Sequence, residues 1–282
     1  MLGINFKTIY TIAKKEFLDN IRSKWIILIS GIFIILTILS AYVSGGSGDE
    51  IFGGFEATVV SLMSIHTLLI PIIAILLGFS TIAGEAEAGA LSVVLSYPVK
   101  RVEVLLGKFL GLGTVLAVTP IIGFGISGII IAAVIGGEEG LAFIVFIALA
   151  IVLGLMYLSL IICFSALVKT RVRAIAAGVG LFFWAMIYGV IVLALYLGSG
   201  GQIGDLMSGL ETYPEWLFAS IVFSPGDLNQ MAVMRAFDIN QAMGFSMEAP
   251  DWLSMPFLLT MQFIWILVPL ILGYIFFKRR DI

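Results

Sequence analysis

Two residues in this 282-residue chain carry the side chains that hydrolytic chemistry needs. Ser127 stands in a Gly125-Ile126-Ser127-Gly128 run, and His66 is the single histidine. Each lies in an apolar stretch, about eight residues from its outer end, so their depths match. A hydroxyl beside an imidazole is the smallest set that gives a nucleophile and its base. The chemistry would be peptide-bond cleavage inside a membrane. The plainer reading is that the glycines and serine form a packing face and that His66 is satisfied within a helix bundle. Cys163, the lone cysteine, is a small apolar filler on this reading, and no disulfide framework or Cys metal motif exists.

A second cluster runs from Gly84 to Lys108. It holds Glu85, Glu87, Lys100, Arg101, Glu103 and Lys108, yet its centre, Leu91 to Leu95, is apolar. A solvated loop does not need that centre. A short helix lying on a membrane or docking into a partner's groove does. No GxxxxGK[ST] phosphate loop is present: Val102 stands where the first glycine belongs, and Phe109 follows Lys108. The chain does not bind ATP by that route, so any transport it drives is powered by a gradient or by a second polypeptide. A third candidate is Met231, Met234, Met243 and Met247. Thioethers suit copper(I), but methionine is an ordinary filler of apolar contacts.

The elements around these residues are membrane spans. Hydrophobic residues make up 61% of the chain and charged ones 12%, about half the charge of an average soluble domain. Six apolar runs are near or above the ~20 residues that a spanning helix needs. They are Trp25–Val43, Thr58–Ala83, Phe109–Ile135, Leu141–Val168, Ala174–Gly198 and Met255–Phe277. Trp25 and Tyr42 anchor the ends of the first. Trp216–Phe223 is too short to span and reads as re-entrant or interfacial. Pro71 and Pro120 either break or kink their spans. Ahead of the first run, residues 1–24 read as an interfacial helix with Phe6, Tyr10, Ala13, Phe17 and Ile21 at helical spacing. A signal peptide fits less well, because the segment is long and no cleavage site follows.

Fourteen of the fifteen basic residues fall on alternating connections, and Arg235 alone lies on the other side with twelve of the eighteen acids. The positive-inside rule then puts both termini in the cytoplasm. The expected fold is an all-α membrane protein with six transmembrane helices, an interface helix before them and an outer helical loop, 199–254, before the last. Ser224-Pro225 predicts a helix from Pro225 to about Phe237 on the outer surface. Besides His66 the spans hold essentially no ionisable group, which disfavours a gradient-driven transporter. Gly107/Gly111, Gly123/Ser127 and Ala174/Gly178, at i, i+4 spacing, offer weak support for pairing of two copies.

The 84–108 stretch resembles the permease signature of type-2 ABC transporters, "GE.E.GTL..LL..P..R.....GK". The match rests on Ile82-Ala83-Gly84-Glu85, Glu87, Gly89, Leu91, Tyr97-Pro98-Val99, Arg101, Glu103 and Leu106-Gly107-Lys108-Phe109, with Ala90 where Thr is common. The interface helix and the outer Ser224-Pro225-Gly226-Asp227 run are similar to that family too. Within it the chain most resembles the permease of the nitrous oxide reductase maturation system. The resemblance implies a single permease domain over 1–282 in the cell membrane, paired as a homodimer and surrounded by lipid. It catalyses no bond chemistry and holds no cofactor. ATP and Mg sit on a separate ATP-binding subunit, and no nucleic acid is involved. An outer protein at 199–254 is a further candidate partner. The residues implied in coupling to the ATPase are Glu85, Glu87, Gly89, Leu91, Leu95, Pro98, Arg101 and Lys108. The coupling helix is expected near Glu87–Ser96, with Leu91, Val94 and Leu95 entering a cleft on the ATPase and a Glu85–Arg101 salt bridge at its base. The alternative is similarity to rhomboid-type intramembrane proteases, which carry a GxSG run. Their histidine follows the serine in a later span, whereas His66 precedes Ser127. The EExxxR pattern of another membrane protease class is absent, since no arginine follows Glu138-Glu139 at that spacing.

Overall fold

The computed structural model describes residues 4–46, 55–134, 140–202, 214–237, 239, 241–242, 245–246 and 250–280, and side chains outside 41–58, 130–142 and 241–249. Tyr42, Glu56, the Gly136–Glu139 turn, Met243 and Met247 fall outside those side chains. The main elements are helices α1 (Phe6–Ile21), α2 (Lys24–Gly46), α3 (Phe55–Gly78), α4 (Ala83–Glu87), α5 (Ala90–Ser96), α6 (Arg101–Val134), α7 (Gly140–Leu167), α8 (Arg171–Gly198), α9 (Glu215–Ser220), α10 (Pro225–Ala236) and α11 (Met255–Arg279). Two two-residue strands, Gln241–Ala242 and Phe245–Ser246, pair antiparallel after α10.

Among the described residues five helical segments are long and apolar enough to span, and the α1–α2 pair, bent by 71°, makes a sixth if it is one span. The protein is thus an all-α multi-pass membrane protein. Asn5 caps α1 by accepting the Lys7 N–H at 3.0 Å. The bend follows where Arg22, Ser23 and Lys24 interrupt the apolar pattern. Pro71 and Pro120 sit inside continuous helices. They therefore do not break their spans.

The core lies between α2, α3, α6 and α7. Phe124 of α6 meets Phe33 of α2 edge-on at 5.1 Å and Phe146 of α7 at 4.7 Å, and such pairs add about 0.5–1.5 kcal/mol each beyond burial. The small residues have been put to use inside the chain. A Cβ on Gly107 would stand 2.7 Å from Ile12, and one on Gly111 would stand 2.5 Å from the Ala13 carbonyl oxygen. Those glycines let α1 lie against α6. Gly123 faces Phe33, and Gly178 faces Ile75 and Ile161. The three small pairs are thus occupied by the chain's own helices and give no support for pairing of two copies.

Two further expectations change. On α1 the inward residues are Ile9 and Glu16, while Phe6 and Tyr10 are exposed. α10 starts at Ser224, whose hydroxyl accepts the Asp227 N–H at 3.3 Å, with Pro225 at its first turn. It does not lie on the surface: Leu228, Asn229, Met231, Ala232, Val233 and Met234 are buried. The helix packs in among α7, α11 and α3. Met231 and Met234 are core fillers there. Trp216–Phe223 forms α9 and one 3₁₀ turn, too short to span.

Candidate functional site at the basic end

The connection from α3 to α6 is built of two short helices set at a hinge. Ser165, near the end of α7, fixes its start. The Ser165 hydroxyl donates to the Phe79 carbonyl at 2.9 Å and accepts the N–H groups of Ile82 and Ala83 at 3.1 and 3.0 Å. α4 follows, and Gly89 then turns the chain with φ at +74°, a left-handed conformation that glycine adopts without strain. α5 ends where Pro98 holds Tyr97 extended. Glu103 closes the segment: its carboxylate accepts the Lys100 N–H at 2.9 Å and the Asn5 N–H at 2.8 Å. One side chain thereby joins the first turn of α6 to the start of α1.

Lys108 is 2% exposed, and its ammonium donates to Glu85 at 2.6 Å and to Glu16 at 2.8 Å. A buried cation needs such partners, and here they come from α4 and α1. Glu85 therefore pairs with Lys108, not with Arg101. Arg101 instead donates to the carbonyls of Phe277, Lys278 and Arg280 at 2.5, 2.8 and 2.9 Å and lies over the Phe277 ring at 5.5 Å. It serves the unpaired carbonyls at the end of α11. Glu87 accepts the Arg171 N–H at 2.7 Å, a carboxylate at the positive end of α8. The signature charges thus tie the segment to four other helices: Glu85 and Lys108 to α1 and α6, Glu87 to α8, Arg101 to α11.

The apolar centre behaves differently from the expectation. Leu91 is fully buried, and Val94 and Leu95 pack half-buried against the core. Leu91 holds α5 down and is closed to a partner's cleft, while Val94 and Leu95 keep part of their surface exposed. The face that projects carries Ser92, Val93, Ser96, Tyr97 and Pro98, with Val93 62% and Tyr97 66% exposed.

Ser127 and His66 are both fully buried but make no dyad. The Ser127 hydroxyl donates to the Gly123 carbonyl at 2.9 Å. His66 Nε2 is 3.1 Å from Asn229 Oδ1, and its ring packs edge-on against Phe146. Asn229 also donates to the Leu149 carbonyl at 2.8 Å and to Gln262 Oε1 at 3.0 Å. These contacts anchor α10 to α3, α7 and α11, and they remove the arrangement on which the protease reading stood.

Glu16, Ser165, Asn229, Gln262 and Arg280 were not legible as site residues. For Glu16 a signal existed: it shares a helical face with Ile9 and Ile12, an acid on an otherwise apolar stripe.

Comparison with known proteins shows the family. A family described as "ABC-2 family transporter protein" matches residues 10–282. A "Probable ABC transporter permease protein NosY" of Pseudomonas aeruginosa is 32% identical over 97% of this chain and 99% of its own length. The protein of the same description from Stutzerimonas stutzeri is 32% identical over 96% of this chain and 98% of its own. The family resemblance carried by the 84–108 signature is borne out.

Proposed function

This chain belongs to the ABC-2 transporter family, and from that premise we propose that it is the permease driven by a separate ATP-binding subunit docked on α5. It is a membrane subunit of an ABC transporter. The observation that carries the proposal is the outward face of α5. A seven-residue helix and its C-cap present Val93 and Tyr97 to the outside while Leu91 is packed inward. An exposed apolar patch on a rigidly held helix marks an interaction site.

Movement imposed on α5 reaches the spans through the polar ties described above. Glu85 and Lys108 pass it to α6 and α1, Glu87 to α8, and Arg101 to the end of α11. Each is a charge-assisted contact, and together they make the basic end move as one body. ATP and Mg are held by the partner. The basic loops and both termini face the cytoplasm of the cell membrane, which is the side where ATP is available. Two copies work together, and α8, whose Val172, Val179, Phe183, Ile187 and Val190 are exposed, has ample surface for lipid or a second copy. The work is export, or force passed to an outer protein at 199–254.

A Tyr97→Cys variant on a Cys163→Ala background tests the docking. A short crosslinker, thiol-reactive at one end and photoreactive at the other, attached at Tyr97→Cys in native membranes, is expected to join the chain to a Walker-motif ATPase. Photo-adducts to lipid only, with no ATPase adduct, contradict it.

A further inference from the structure

Beside α5 the basic end opens into a pocket of about 610 Å³. Glu87 and Ser92 line it from the α4–α5 segment, Lys169 from the α7–α8 turn, and Phe276, Arg279 and Arg280 from the end of α11 and the residue after it. Three cations thus face one carboxylate. Glu87 is also turned to the backbone of α8, where it accepts the Arg171 N–H. Arg280 is held rigidly, because its guanidinium donates to the carbonyls of Val168 and Lys169 at 2.7 and 3.0 Å. Lys169 and Arg279 are exposed, and among the described residues neither joins an ion pair. The pocket is therefore a preorganised, net positive recess to which α5 contributes Ser92.

We infer that this pocket is a second contact with the ATP-binding subunit and receives an acidic side chain of that subunit. The inference rests on the docking of that subunit at α5. Ser92, which lines the pocket, is next to Val93 on the projecting face of α5, so a protein that grips Val93 and Tyr97 also covers the pocket. Apolar contact at α5 supplies the hold. The charges at the pocket fix the orientation in which the two subunits meet, which is what complementary charge does at interfaces. Two contacts on either side of α5 also resist its rotation when the partner moves.

The test uses the full chain in nanodiscs of phosphatidylcholine alone and the Walker-motif ATPase that co-purifies with it. The variants are Lys169→Glu with Arg279→Glu, and Lys7→Glu as a charge control away from the pocket. Arg280 is left intact because it caps α7. The double variant is expected to bind the ATPase on the order of ten-fold more weakly at low ionic strength, with a flatter salt dependence than wild type. Lys7→Glu is expected to bind as wild type does. Wild-type binding that ignores salt, or a double variant that binds like wild type, overturns the inference while leaving docking at α5 intact. A double variant that binds the ATPase normally but no longer retains added phosphatidylglycerol assigns the pocket to lipid headgroups and overturns it too. A wild-type chain that binds no ATPase overturns the docking itself, and the inference with it.

Discussion

Lys108 reaches Glu85 at 2.6 Å from a position that is 2% exposed, so the charged end of α6 is closed off by the short helix α4. Glu16 of α1 completes the cluster at 2.8 Å. One buried cation serves two carboxylates from different helices, so Lys108 is the member whose loss leaves both of the others without it. Replacing Lys108 by Met is expected to lower stability by about 3–5 kcal/mol, the cost of leaving a buried charge unpaired. Thermal unfolding in detergent measures it, and adding Glu16→Gln to Lys108→Met is expected to restore part of the loss. An unchanged midpoint in Lys108→Met would show that the cluster is not a structural joint.

Gly89 offers a test of the hinge between α4 and α5. A Cβ there meets nothing within 4 Å, yet φ is +74°. Gly89→Ala is therefore expected to cost about 1–2 kcal/mol through the backbone alone. Gly125→Ala is the contrast: its Cβ also meets nothing, but it lies inside α6, where Ala gains about 0.5–1 kcal/mol over Gly. Unfolding midpoints of the two variants are expected to move in opposite directions.

Gly111 tests the seat of the interface helix. A Cβ there would come within 2.5 Å of the Ala13 carbonyl and 2.7 Å of the Glu16 side chain, and neither the backbone nor a carboxylate held by Lys108 yields easily. Gly111→Val is expected to cost about 1–3 kcal/mol as overpacking and to lift α1 from α6. Faster trypsin cleavage at Lys14 and Lys15 is the readout, and cleavage at the wild-type rate would contradict the packing.

Ser127 and Asn229 separate packing from chemistry. Ser127→Ala removes one bond to a helix carbonyl and is expected to cost no more than about 1 kcal/mol and to leave transport intact. Asn229→Leu strips partners from His66, Gln262 and the Leu149 carbonyl. It is expected to cost about 1–3 kcal/mol for each buried group left unmade. Loss of function in a well-folded Ser127→Ala protein would revive the nucleophile.

Much of this molecule was legible in the sequence, for a physical reason. A spanning helix must be apolar over its whole length, so the runs from Trp25 to Phe277 announce themselves locally. Charge sorting and the Ser224-Pro225 start are local signals as well. The pairings were not legible, because Lys108 and Glu16 are 92 residues apart and nothing along the chain favours Glu85–Lys108 over Glu85–Arg101. The apolar centre of the segment reads as a partner-facing surface, yet Leu91 is the residue that fastens α5 to the bundle. α10 reads as a surface helix because its mixed composition hides how much of it is covered. Only the fold brings His66, Asn229 and Gln262 together.

The central claim is that α5 is where a separate ATPase takes hold. The direct measurement is ATP hydrolysis by the tagged chain isolated in mild detergent from its source cells, for wild type and for Val93→Glu. Val93 is exposed and fastens nothing inside the chain, so the substitution leaves the fold alone. Wild type is expected to carry a Walker-motif subunit and its hydrolysis, and Val93→Glu to lose both while remaining monodisperse. A wild-type chain without ATPase activity, or a Val93→Glu chain that keeps all of it, would contradict the account.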